Sequence, residues 1–261
     1  MYVAVDLIVS AVEGLSPSVL AFCLVAMFIA AFIRGFTGFG SSLMWVPSLS
    51  LVLPPVAVVP ITFLLEVLIS LQLAPTIRKE ADWPSLWRIW IGALVGVPIG
   101  LALIASVPAD ITRAAVALTV IVAAVILWRG TRLSGTFSTP ATAGVGAAAG
   151  FLTGAVGIPG PPVFLYYLST PLDIRVARAS IMAYILGAGI LGCVFASMRG
   201  MLDGDAVVRA LLLFPIVLVG TYLGSRAFGK ADPERARRWA LVVLIVMGAT
   251  LLFRVLYTAF Q

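Results

Sequence analysis

Ten apolar runs divide the chain, at about 17–34, 38–53, 56–77, 87–107, 111–129, 139–157, 159–170, 178–200, 207–229 and 238–260. Most stay apolar along their length instead of alternating every second residue. In hydrocarbon such runs must be helices, which bond every backbone amide within the segment. A barrel would need the alternating pattern. With 62% hydrophobic and 11% charged residues, the 261-residue chain has too little polar surface to dissolve as a globule. The expected fold is therefore all-α and polytopic in the membrane.

Two runs are too short to cross. A hydrocarbon core of roughly 30 Å takes about 20 helical residues, and the second and seventh runs fall below that. Each follows a glycine-rich break: GFTGFGSSLMWVP, Gly35–Pro47, and GAVGIPGPPVFLY, Gly154–Tyr166. At an offset of 119 residues, Gly35 matches Gly154, Gly38 matches Gly157 and Phe32 matches Phe151. Glycine packs no side chain and proline has no amide donor, so neither stretch carries a regular helix. The chain thus divides into two repeats of five segments, residues 1–130 and 139–261, joined by a cytoplasmic linker, 131–138. Broken helices at matching places in two halves point to a transporter site.

Gly96-Val-Pro-Ile-Gly100 recurs as Gly220-Thr-Tyr-Leu-Gly224, and Gly146, Gly150 and Gly154 form a further ladder. Small residues every fourth position let helix backbones approach in lipid, so these faces are expected to pack helices.

Positive charge orients the segments. If all ten runs change side, 13 of the 17 Lys and Arg fall on one side, which the positive-inside rule makes cytoplasmic. Both termini then lie outside the cytoplasm. If the short runs caused no change of side, the count would be 9 against 8. The same parity holds when runs one and two form one re-entrant hairpin and runs six and seven another, entering from opposite faces. We prefer this arrangement to ten full crossings. An odd number of runs per half inverts one repeat against the other, so that the glycine-rich tips meet near the midplane.

The net charge of +6 is scattered between apolar runs without an aromatic-lined basic face, which argues for membrane orientation and against nucleic acid. Cys23 and Cys193 lie far apart inside apolar runs and read as packing residues. The chain has no histidine, which removes the commonest zinc ligand, the usual neutral-pH proton carrier and the base of a Ser/His/Asp triad. No phosphate-binding loop stands in a strand–turn–helix context. We expect no enzyme, cofactor or metal site. The N-terminal stretch MYVAVDLIVSAVEG has no basic region before its apolar part, so a cleaved signal peptide is not expected.

GFTGFGSSLMWVP resembles the first glycine-rich motif of the sulfite exporter TauE/SafE family, also called the toluene sulfonate uptake permeases. GFLTGAVGIPGPPVFLYYL, Gly150–Leu168, resembles its second. The resemblance spans essentially the whole chain, including its duplicated plan. It implies a secondary transporter for sulfite, an organosulfonate or a similar small anion in a bacterial cytoplasmic membrane. Members commonly run three glycines together after the break, where this chain has Gly40-Ser41-Ser42 and Pro159-Gly160-Pro161-Pro162. The serines add hydroxyl donors and the prolines stiffen the backbone, so the substrate can differ from the namesake's. The implied partners are the bilayer and a small anion, with a homo-oligomer left open. An anion channel and a non-transporting assembly subunit are the alternatives.

An anion in lipid needs a replacement for its hydration, and amides freed at a broken helix, backed by the helix dipole, supply one. The expected substrate contacts are Arg34, Gly35, Thr37, Gly38, Gly40, Ser41, Ser42, Gly154, Gly157 and Gly160. Arg34 directly precedes the first break, and its counterpart by offset is the uncharged Thr153. At the bilayer centre an arginine costs on the order of 2.5–3.5 kcal/mol or more, so there it needs an anion or a water-filled cavity. At the surface it is one more orienting charge. Glu66 is the only carboxylate well inside an apolar run. Three readings stay open for it: a pair with Arg34, a proton carrier that couples transport, or a side chain that snorkels to the surface. Gln72 is expected to hydrogen-bond between helices, and Tyr166 and Tyr167 to anchor at the interface.

Overall fold

The computed structural model describes residues 16–37, 40–72, 74–129, 137–228 and 233–259. Among them are eleven helices and no strand. In order they are α1 (Pro17–Thr37), α2 (Ser41–Ser50), α3 (Pro55–Leu71), α4 (Ala74–Glu80), α5 (Trp83–Ser106) and α6 (Ala109–Arg129). The second half holds α7 (Thr139–Val156), α8 (Pro161–Ser169), α9 (Ile174–Met198), α10 (Gly204–Phe228) and α11 (Pro233–Ala259). Six of them, α1, α5, α6, α9, α10 and α11, contain stretches long and apolar enough to cross a membrane.

Helix starts follow local chemistry. Proline occupies the first or second position of α3, α5, α7 and α8, where a missing N–H costs nothing. The Ser138 hydroxyl caps α7 through the Ala141 amide, and the Asp173 carboxylate caps α9 through the Arg175 amide. The breaks are equally local. Gly40 and Gly157 take left-handed conformations, φ 86° and 69°, that a side chain would strain.

The second and seventh runs are short, as expected. The ten residues of α2 and nine of α8 rise only about 15 Å or less. The first run is longer than a short re-entrant arm requires: α1 has 21 residues, enough to cross alone. The third run divides in two, because Pro75 and the charged TIRKE segment that follows place α4 beyond the end of α3.

The two halves interleave. α1 packs along α10 and α7 packs along α5, the most extensive helix pairings among the described residues. A Cβ built on Gly96 would fall 2.2 Å from the Ala147 carbonyl oxygen, and one on Gly100 2.3 Å from that of Phe151. On the other pair, Gly220 meets the Phe28 carbonyl at 2.8 Å and Gly224 that of Phe32 at 2.0 Å. Ala147 and Phe151 stand 119 residues after Phe28 and Phe32 (147 − 28 and 151 − 32). The glycine faces are therefore packing faces, and the same contact is made twice with the halves exchanged.

Buried side chains form two lobes. One gathers residues of α1, α2, α6, α10 and α11, the other those of α5, α8 and α9, and α7 contributes Ala155 and Val156 to the first and Ala149 to the second. α3 lies between, sending Val58, Ile61, Leu65 and Ile69 into the first and Val59 and Phe63 into the second. The central helix is thus the one that carries Glu66.

Candidate anion site at the first helix break

α1 ends and α2 begins within three residues of Gly38, and this junction holds the most polar cluster of the described interior. Arg34 sits in the last turn of α1, where the helix dipole favours a cation. It is 2% exposed, and Glu66 on α3 is equally buried. The Arg34 Nη1 group donates to Glu66 Oε2 and, at 2.6 Å, to Ser41 Oγ. Its Nη2 group donates to Ser70 Oγ at 3.1 Å. Ser41 in turn donates to Glu66 Oε1 at 2.5 Å. Helical spacing accounts for the set: Ser70 follows Glu66 by four residues on α3, and Trp45 follows Ser41 by four on α2. The Trp45 ring centroid lies 5.9 Å from Arg34 Cζ.

Glu66 therefore meets Arg34 as a partner and does not snorkel. Its position is informative. The carboxylate lies at the first residue of α2, a helix whose start has no side-chain cap. Amides of an uncapped first turn, together with the dipole, favour negative charge there. An internal carboxylate thus occupies the kind of place that a bound anion would take.

The second break is built differently. Residues 153–160 are all buried. A Cβ on Gly157 would fall 3.1–3.2 Å from Val46 of α2 and from Val59 and Thr62 of α3, so this break is seated against the helices that follow the first. Pro161 and Pro162 remove two amides from the start of α8. At the 119-residue offset, Arg34, Ser41, Trp45, Glu66 and Ser70 correspond to Thr153, Gly160, Phe164, Ile185 and Gly189. No charged residue is among the five counterparts. At this offset the charge pair of the first half has no charged counterpart in the second.

The expected site residues divide accordingly. Arg34, Ser41, Ser42 and Glu66 are buried and stand at or beside the first break, with Gly40 at its edge. Thr37 closes α1, and Gly38 lies outside the described residues. Gly35 and Gly154 lie inside helices: a Cβ there would fall 2.1 Å from the Thr221 carbonyl oxygen and 2.2 Å from that of Val97. Their place is helix packing, as amides within a helix are already bonded along it. Gly157 and Gly160 line the second break. Ser70 and Trp45 were missed, although their spacing from Glu66 and Ser41 could have found them.

Three further expectations are corrected. Tyr166 and Tyr167 are buried and do not anchor at an interface; the Tyr167 hydroxyl pairs with Ser85 at 2.7 Å. That bond satisfies a polar group the core would otherwise leave costly. Gln72 caps the end of α3, exposed.

Interleaved membrane-length helices, two glycine breaks and an ion pair buried at one of them define a polytopic α-helical membrane protein with an internal charged site. The family model for the sulfite exporter TauE/SafE matches residues 23–251, and the chain belongs to this family of transporters. It is 29% identical over 233 residues to the probable sulfite/organosulfonate exporter TauE of Cupriavidus necator, covering 84% of this chain and 87% of that protein. No solved structure matches.

Proposed function

We propose that this protein is a secondary transporter that moves sulfite, an organosulfonate or a similar small anion across the bacterial cytoplasmic membrane by alternating access. The observation that carries this reading is the Arg34 guanidinium, buried where α1 gives way to α2 and held by Glu66, Ser41 and Ser70. Arginine's planar fork suits oxyanions. Family membership and the relative's name supply the sulfur chemistry.

In this reading Glu66 holds the place of the substrate head group while the site is empty. An incoming monovalent anion, a sulfonate or hydrogen sulfite, takes Arg34 and Ser41 once Glu66 has accepted a proton, so the charge of the site is unchanged by loading. Among the described residues, Arg34 is the charged group paired with Glu66. Where the anion instead leaves the cell without a proton, an inside-negative potential contributes about 2.3 kcal/mol per charge per 100 mV to export. Inverted halves with both termini outside the cytoplasm would let the two breaks gate the site from opposite faces.

The test is a thermal-shift panel on the purified protein with sulfite, sulfate, sulfoacetate, taurine and aromatic sulfonates, followed by flux into liposomes. We expect saturable flux and stabilisation by a subset of these anions. Flux that fails to saturate would make the protein a channel. No stabilisation and no flux would make it an assembly subunit.

A further inference from the structure

The Trp45 indole is fully buried, at 0% exposure, and its Nε1–H has no hydrogen-bond partner among the described residues. A buried donor without an acceptor loses its hydration and gains nothing in return. Ser50, Trp90, Tyr184 and Thr221 also hold unpartnered buried polar atoms. Trp45 differs from them in its neighbour, since its ring lies 5.9 Å from the Arg34 guanidinium carbon.

Among the described residues that guanidinium is itself not fully engaged. It carries five N–H donors, of which three are given to Glu66, Ser41 and Ser70. Among the described side chains, the neighbourhood therefore holds more donors than acceptors. The group that would complete it carries several oxygens around one centre and a negative charge.

At the 119-residue offset a phenyl ring is buried where the first half has the indole. Phe164 stands at the corresponding position of the second half, also buried, and that half has Thr153 where the first has Arg34. An aromatic ring suits the position after either break, while the indole N–H is found only beside the arginine.

We propose that Trp45 is a substrate-positioning residue, its Nε1–H donating to one oxygen of the oxyanion that Arg34 binds. This rests on the anion site proposed above and names a further donor within it. Arg34 supplies charge, and Trp45 supplies a directed N–H donor to one oxygen of the head group, sulfite or a sulfonate.

The experiment compares the full-length wild type with Trp45→Phe, and with residue 45 replaced by 3-benzothienylalanine, which keeps the indole shape with sulfur in place of N–H. Half-saturation is measured by liposome flux and by thermal shift with sulfite and methanesulfonate. A hydrogen bond to a charged group corresponds to about tenfold in affinity or more. Both replacements should raise half-saturation by about that factor for both anions, with maximal flux retained and the ligand-free melting temperature close to wild type. The benzothienyl variant keeps the test decisive if Trp45→Phe folds poorly. Unchanged half-saturation in a folded variant overturns the proposal. A lower melting temperature with unchanged affinity overturns it too, and makes the ring a packing element. A wild type that responds to neither anion removes the anion site itself, and this inference with it.

Discussion

The Arg34 guanidinium, in the last turn of α1, and the Glu66 carboxylate, 32 residues further on in α3, form a salt bridge with both side chains buried. Each makes the other tolerable in the interior. A lone buried charge of either sign would cost several kcal/mol, while a neutral pair can be replaced by apolar groups at little cost.

Removing one partner should therefore hurt more than removing both. Arg34→Leu and Glu66→Leu are each expected to cost about 3–5 kcal/mol, since each leaves an unpaired charge. The double variant Arg34→Leu/Glu66→Leu should lie closer to wild type than either single one, yet show no stabilisation by sulfite. Unfolding in detergent measures all of these. Additive losses would mean that the two charges do not depend on each other.

Glu66→Gln separates charge from shape. Glutamine keeps an acceptor for Arg34 and Ser41 but cannot exchange a proton. If loading carries a proton on Glu66, wild-type flux of methanesulfonate, whose own charge stays fixed, should depend on pH. In Glu66→Gln that slope should flatten, with the anion bound at every pH tested. A pH profile matching wild type would take the proton away from Glu66.

Ser41 touches both charges, whereas Ser70 touches Arg34 alone. Ser41→Ala should accordingly destabilise more, by about 1–3 kcal/mol, the range for leaving a buried charged group short of a partner. Ser70→Ala should fall at the lower end. Thermal unfolding of the two variants ranks them, and equal losses would show that Ser41 does not bridge the pair.

Much of this architecture was legible in the residues, and the reason is physical. Lipid leaves a backbone few options, so apolar run lengths gave the helices and glycine and proline gave the breaks. Gly96 and Gly220 announced close packing because a bare Cα lets a neighbouring helix backbone approach. Trp45 and Ser70 escaped because an indole and a hydroxyl in an apolar run are ordinary; their four-residue spacing from Ser41 and Glu66 was the one signal that pointed to them. Tyr167 escaped for a related reason. Interface and interior suit a tyrosine equally, and its choice was set by Ser85, 82 residues away. The role of Gly35 and Gly154 was harder to read, because a glycine near a break serves either to free amides or to admit a neighbour. Sequence does not say which.

Alanine substitution separates those two uses of glycine. At Gly154 a Cβ would lie 2.2 Å from the Val97 carbonyl oxygen, a fixed backbone atom, so α5 and α7 must move apart. The expected loss is about 1–3 kcal/mol or more, the range for overfilling a packed interior. Gly144 lies on the same helix, and a Cβ there meets nothing within 4 Å. Gly144→Ala should stabilise by roughly 0.5–1 kcal/mol, because alanine loses less backbone freedom in a helix. At Gly40 the space is also open but φ is 86°, so Gly40→Ala is opposed by conformation alone, on the order of 1–2 kcal/mol. Its effect should appear at the anion site next door more than in the fold. Melting temperatures and sulfite half-saturation for the three variants decide the matter. A Gly154→Ala protein as stable as wild type but unable to bind anion would return that glycine to the site.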